Sequence, residues 1–137
     1  MIGAFMLLNR HIIDRIGFFD ERFFVYYEDM DFCKRVKEYK RVHYNASIQI
    51  YHKGMGTTEN VKAYRLALSV ESRLKYIKKH FALVSYFFVL FISLVIEPFF
   101  RLIYTILRLK FKETEEIVRG YCILTKRLLA LNEIKKT

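Results

Sequence analysis

The sequence lacks several features that mark common classes of protein. Its two cysteines, Cys33 and Cys122, have no paired spacing, which argues against a disulfide framework and favours a reducing compartment. The first eight residues have neither a basic segment nor a small-residue cleavage site, so we expect no secretory leader. Uncharged apolar tracts stay shorter than the roughly 20 residues of a secure membrane span. No Arg/Lys-aromatic signature of RNA binding is visible, and we predict no nucleic-acid partner.

What the sequence has in abundance is apolar residues and positive charge. Of its 137 residues, 53% are hydrophobic and 17% aromatic, which predicts one modest domain with a packed core and excludes a disordered chain. The net charge of +10 comes mainly from residues 61–137, because residues 1–60 hold nearly equal numbers of basic and acidic side chains. A basic, apolar second half favours contact with a membrane surface.

Helix signals recur along the chain. Asn9 can cap a short helix that ends at Gly17, and apolar spacing predicts a second helix from about Asp29 to about Tyr39. Asn60 can cap a long helix that reaches about His80, where it is strongly basic. A last helix is predicted over residues 115–131.

Two stretches have the patterns of β-strands. Residues 2–8 form a short continuous apolar run, which is typical of a strand buried on both faces. Residues 42–50 alternate between apolar and polar side chains, and a continuation of this strand would place His52 at its end. Together with the helices, these strands predict an α/β domain over residues 1–80.

The most apolar part of the chain follows this domain. Residues 81–96 carry no charge, and Glu97-Pro98 interrupts the apolar pattern. We predict that residues 81–137 form a helical region that associates with a membrane, with a hairpin at the interface and a kinked span as the alternative.

An acidic cluster lies within the aromatic run of residues 23–33. Glu28, Asp29 and Asp31 stand among phenylalanines and tyrosines, and carboxylates in apolar surroundings usually have a counter-charge or a chemical role. A structural explanation is available for part of the cluster, because acids are favoured at a helix N-terminus and Asp31 can pair with Arg35 at i+4.

Four blocks of sequence together resemble the second half of an inverting family-two glycosyltransferase, and most closely its rhamnosyltransferase-like branch. They are Gly3-Ala4-Phe5-Met6-Leu7-Leu8, Gly17-Phe18-Phe19-Asp20-Glu21-Arg22-Phe23-Phe24, Glu28-Asp29-Met30-Asp31-Phe32-Cys33-Lys34-Arg35 and Tyr51-His52-Lys53-Gly54. The resemblance covers about residues 2–80, and Phe18 departs from it where the family often has a second glycine. It implies a partial GT-A fold, the α/β fold of nucleotide-diphospho-sugar transferases, followed by membrane-associated helices.

The resemblance also implies roles for individual residues. Asp29 falls on the general base, and His52 falls on a histidine that helps to hold a divalent metal ion, Mn²⁺ or Mg²⁺, on the donor diphosphate. Lys53 would add positive charge there. Glu28 and Asp31 would line the acceptor or donor site, as would Gly3 and Ala4.

The implied activity is transfer of a sugar, rhamnose being one candidate, from a nucleotide-diphosphate donor. The acceptor would be a cell-surface polysaccharide or a lipid-linked glycan at the cytoplasmic face of the membrane. The family's nucleotide-binding half, with its Asp-x-Asp metal motif, has no counterpart here. We therefore expect this chain to be inactive by itself.

Two other functions stay open. Glu28, Asp29, Asp31, His43 and His52 could form a small metal-hydrolase site, although no metal-binding motif fits their spacing. The chain could instead be a non-enzymatic, basic module that binds membranes.

Overall fold

The computed structural model describes residues 5–51 and 61–134, and these residues form helices joined by short irregular segments. The elements are α1 (Arg10–Ile16), α2 (Glu28–Lys37), α3 (Lys62–His80), α4 (Leu83–Phe91), a π-helical turn (Ile92–Ile96), α5 (Glu97–Leu107) and α6 (Phe111–Ile134).

The two short helices near the N-terminus begin and end close to the predicted residues. The Asn9 side chain accepts a hydrogen bond from the backbone N–H of His11 at 2.9 Å and so caps α1. Gly17 ends α1 with φ 75°, a backbone conformation in which a residue with a Cβ is strained. α2 begins at Glu28, one residue before the predicted start. Both predicted helices are confirmed.

The core lies between α3 and α6, which form the most extensive helix–helix contact. It is made by Ala67, Val70, Leu74 and Leu124. α4 covers one side of this core through Tyr86, Val89 and Leu90. One apolar stripe of α3 is therefore buried against α6, as amphipathic helices usually are.

Gly120 marks the closest approach of α6 to α3. A Cβ atom added at Gly120 would lie 2.9 Å from the backbone oxygen of Ala63 and 2.9 Å from Cδ2 of Leu66. Real Cβ atoms essentially never show contacts under 3.0 Å. A residue without a side chain is thus needed for these helices to pack at this distance.

The apolar segment is one continuous helix from Leu83 to Leu107, so the predicted hairpin is not found within this segment, which continues as a helix through Glu97-Pro98. Proline has no N–H to donate, and here it stands in the first turn of α5, directly after the π-helical turn Ile92–Ile96. The wider hydrogen-bonding of that turn lets the helix continue through the proline. The chain reverses instead at residues 108–110, where Leu109 has φ 53°.

The predicted α/β fold is wrong for the part of the chain that the structure describes, which contains no strand or sheet. Residues 5–8 are irregular. Residues 42–50 are interrupted by a turn at Ala46-Ser47, where the Asn45 side chain accepts hydrogen bonds from the backbone N–H and the hydroxyl of Ser47.

The physical reason lies in the backbone. A β-strand needs a neighbouring strand for its N–H and C=O groups, and neither stretch has one among residues 5–51 and 61–134. The alternation of apolar and polar residues along 42–50 shows which side chains could share a face of a sheet. It does not provide a neighbouring strand. Tyr44 and Ile48 are accordingly exposed.

Candidate functional site

The acidic cluster follows a strained turn. Tyr26 and Tyr27 have φ values of 64° and 68°, in the left-handed region that costs a residue other than glycine about 1–3 kcal/mol. Two contacts from α3 support the turn: Ser72 Oγ donates to the backbone oxygen of Val25 at 2.7 Å, and the Tyr76 ring lies 5.4 Å from the Tyr27 ring. The turn places Glu28 and Asp29 as the first two residues of α2.

Asp31 is completely buried and is bound by three basic side chains. Its Oδ2 accepts from Arg35 Nε at 2.9 Å, which confirms the predicted i+4 pair. Its Oδ1 lies 2.5 Å from Lys79 Nζ and 2.7 Å from His80 Nε2. Burial raises the pKa of Asp31, but the hydrogen bonds from Lys79, His80 and Arg35 outweigh burial and hold the pKa below its usual range.

The same basic residues bind neighbouring groups, so that Asp31 is the centre of a structural network. Lys79 Nζ also lies 2.7 Å from Oδ2 of Asp20, in the turn after α1. Hydrogen bonds from Arg22 lower the pKa of Asp20 most, with a further contribution from Lys79. Arg35 donates to the backbone oxygens of Ile16 and Phe18 at 2.8 and 2.7 Å. The network therefore joins the end of α1, the start of α2 and the end of α3.

The α3 side of this network was not predicted from the sequence. Lys79 and His80 lie 48 and 49 residues after Asp31 in the chain, and nothing in local spacing links them. The one available signal was the concentration of basic residues at the end of the predicted third helix. Basic side chains that are buried need anionic partners.

Asp29 has different surroundings. Its side chain is partly exposed, and its Oδ1 accepts a hydrogen bond from the backbone N–H of Met30 at 2.7 Å. A carboxylate that is reachable from solvent and fixed at a helix start is suited to accept a proton from a bound hydroxyl group.

Glu28 combines a partly exposed side chain with one buried oxygen. Its Oε2 is buried and has no hydrogen-bond partner in the described part of the chain. A buried acceptor without a donor is costly, so Glu28 reduces the stability of the start of α2.

Four predicted site residues, Gly3, Ala4, His52 and Lys53, lie outside the described residues, and their roles stay predictions. Residues 5–51 and 61–134 contain no group of three or more His, Cys, Asp or Glu side chains that could hold a metal ion. His43 is exposed on the irregular segment after α2.

A second candidate functional surface is the outer face of the segment Leu83–Leu107, which is long and apolar enough to span a membrane. Val84, Phe88, Phe91, Val95 and Phe99 are each more than half exposed and recur at helical spacing. Such a continuous exposed apolar surface is typical of contact with lipid or with another protein.

The inner face of this segment carries paired charges. Glu97 accepts from Arg73 of α3 at 2.7 Å and from Arg101, one turn further along the helix, at 2.7 Å. Arg73 also donates to Ser93 Oγ at 3.3 Å. These contacts fix the polar side of the segment to α3.

Comparisons of this chain with models of known protein families, with curated proteins and with solved structures give no match.

Proposed function

We propose that this chain is the acceptor-side part of an inverting glycosyltransferase that is attached to a membrane. The observation that carries the proposal is the position of Asp29. It occupies the general-base position of the four sequence blocks and is partly exposed in the first turn of α2. Asp31, two residues later, has both carboxylate oxygens bound by basic side chains.

In the proposed reaction, Asp29 takes the proton from the acceptor hydroxyl as its oxygen attacks the anomeric carbon of the donor sugar. The nucleotide diphosphate leaves from the opposite face, so that the configuration is inverted. The Asp31 network would keep the start of α2 in place. Rhamnose is a candidate donor sugar, and a cell-surface polysaccharide or a lipid-linked glycan is the candidate acceptor.

The divalent ion that the resemblance implies would neutralise charge on the leaving diphosphate. The described residues do not offer a complete set of ligands for it. His52 is the ligand that this chain would contribute, and the nucleotide-binding half would have to supply the others.

We further propose that Leu83–Leu107 lies in the membrane interface at the cytoplasmic face. If this segment crossed the bilayer, Glu97 would lie close to its middle and Arg101 about one helical turn further along, and charges at such depths are costly. Glu97 instead accepts hydrogen bonds from Arg73 of α3 and from Arg101, which leaves the opposite, apolar face of the helix open to lipid. An amphipathic helix of this kind binds in the plane of the interface.

The test joins the chain to the nucleotide-binding half of an inverting family-two glycosyltransferase and measures acceptor-dependent release of nucleoside diphosphate. Loss of a general base typically lowers a rate by about 10²- to 10⁴-fold. We expect this loss from Asp29→Asn, with donor binding unchanged.

The matched control is Asp14→Asn, which changes an exposed carboxylate in α1 that is paired with Arg10. It should leave the rate unchanged. Equal rates for Asp29→Asn and the unmodified protein would show that Asp29 is not the base.

A second candidate function is a non-enzymatic module that binds membranes. The exposed apolar face of Leu83–Leu107 favours this function, because such a face can bind a membrane in a protein without an active site. Retained binding to vesicles together with no transfer by the joined protein, over a panel of nucleotide-sugar donors, would favour this second function.

A further inference from the structure

A cleft of about 550 Å³ lies between α3, α5 and α6 and reaches Tyr26 in the turn before α2, and it shares no lining residue with the Asp31 network. Its basic side chains are Lys62, Arg65 and Arg101. Hydroxyl groups of Tyr26, Ser69, Tyr104 and Thr105 also belong to lining residues. The cleft therefore combines polar and charged groups with an apolar wall that includes Leu66 and Ile117, and it is large enough for an ionic group of a few heavy atoms with a substituent.

The charges in the cleft are unequally compensated. Both acidic residues of the cleft have basic partners. Glu113 pairs with Lys110 at 3.0 Å, and Glu116 pairs with Arg119 at 3.6 Å. Glu116 also accepts from the backbone N–H of Ala63 at 3.0 Å.

The basic side of the cleft differs. Arg101 is paired with Glu97, but Lys62 and Arg65 have no ion-pair partner within residues 5–51 and 61–134. Among the described residues, two positive charges of the cleft therefore lack a counter-ion. An anion bound between Lys62 and Arg65 would supply a counter-ion.

The cleft also adjoins the end of the apolar segment. Tyr104 and Thr105 line it from the last turns of α5, which expose Ile103 and Leu107. The Arg108 guanidinium lies 5.2 Å from the centre of the Tyr104 ring and adds a further cation at this end. A helix bound in the interface would hold this end at the depth of the lipid headgroups.

We propose that the cleft binds a phosphate monoester or diphosphate group through Lys62 and Arg65. The guanidinium group can donate two parallel hydrogen bonds to phosphate oxygens, and the lysine ammonium adds a point charge. The group comes either from a lipid headgroup or from a soluble phosphate. The lipid source rests on the proposed membrane attachment, whereas the soluble source does not.

The experiment uses the full chain and the double variant Lys62→Gln/Arg65→Gln. The matched control is Lys40→Gln/Arg41→Gln, which removes one exposed lysine and one exposed arginine after α2. Flotation is measured with vesicles of phosphatidylcholine alone, with added phosphatidic acid, and with added phosphatidylglycerol at the same surface charge. Sodium pyrophosphate is titrated calorimetrically against each protein in detergent.

For a lipid source, the cleft variant should bind phosphatidic-acid vesicles about thirtyfold more weakly, given the usual contribution of each cation near an anionic surface. The control variant and the phosphatidylglycerol vesicles should show much smaller losses. For a soluble source, pyrophosphate should bind the unmodified chain and the control but not the cleft variant.

Equal losses in the cleft and control variants, with no pyrophosphate binding that depends on Lys62 and Arg65, would overturn the proposal. Binding to phosphatidylcholine vesicles tests the membrane attachment separately from phosphate binding in the cleft. Failure of the unmodified chain to bind them counts against membrane attachment by the apolar face, while the pyrophosphate titration still decides the cleft.

Discussion

Replacing Asp31 by asparagine tests the structural role of the buried network. Asp31 is fully buried, and the side chains of Arg35 and Lys79 are only 18% and 20% exposed. Removing one partner of a buried ion pair costs about 3–5 kcal/mol, mostly because the remaining charges lose their counter-ion. We expect the lower end, about 3 kcal/mol, because Lys79 keeps Asp20 and Arg35 keeps two backbone oxygens.

The assay is urea unfolding followed by far-ultraviolet circular dichroism, at a fixed concentration of mild detergent. The chain has no tryptophan to report unfolding by fluorescence. Asp14→Asn is the control, since its pair with Arg10 is exposed and exposed pairs contribute about 1 kcal/mol or less. An Asp31→Asn protein as stable as the Asp14→Asn protein would show that the Asp31 network does not stabilise the fold.

The dependence on pH gives an independent check. The pKa of Asp31 is lowered in the folded protein, so the unfolded chain binds more protons in acid. The stabilisation by Asp31 is therefore complete above the unfolded pKa of about 3.9 and is lost as the pH falls through the folded pKa. The free energy of unfolding should fall less steeply in this range for Asp31→Asn, and the remaining slope should come partly from Asp20.

Two further predictions concern helix packing and membrane binding. Gly120→Ala should lower the free energy of unfolding, because overpacking costs about 1–3 kcal/mol and exceeds the gain in helix propensity of about 0.5–1 kcal/mol. A rise in stability in the same urea assay would contradict the close contact with Ala63. Phe88→Ser/Phe91→Ser should weaken flotation with phosphatidylcholine vesicles by about tenfold or more. The control Phe5→Ser/Phe24→Ser also changes two exposed phenylalanines and should have little effect. Equal losses in the two variants would show that the membrane contact lies elsewhere.

Features set by residues close together in the chain could be predicted from the sequence. The cap at Asn9, the end of α1 at Gly17 and the Asp31–Arg35 pair each depend on residues no more than four or so apart. The start of α2 was predicted within one residue because acids and apolar spacing coincide there. These signals act within one helical turn and do not depend on the rest of the fold.

Features that depend on distant residues could not be predicted in the same way. The alternation of residues 42–50 indicates a strand only if another strand lies beside it, and the Asn45 side chain instead stabilises a turn. Lys79 and His80 reach Asp31 only because α3 passes the start of α2. The continuity of the helix through Pro98 depends on the π-helical turn before it. No pattern in the sequence predicted this π-helical turn.

The most direct test of the proposed glycosyl transfer is the configuration at the anomeric carbon of the product. The chain joined to a nucleotide-binding half would be given donor and acceptor, and the product examined by proton NMR. We predict a glycoside of configuration opposite to that of the donor, and no such product when Asp29 is replaced by asparagine. A product that retains the donor configuration, or one formed equally well without the Asp29 carboxylate, would contradict it.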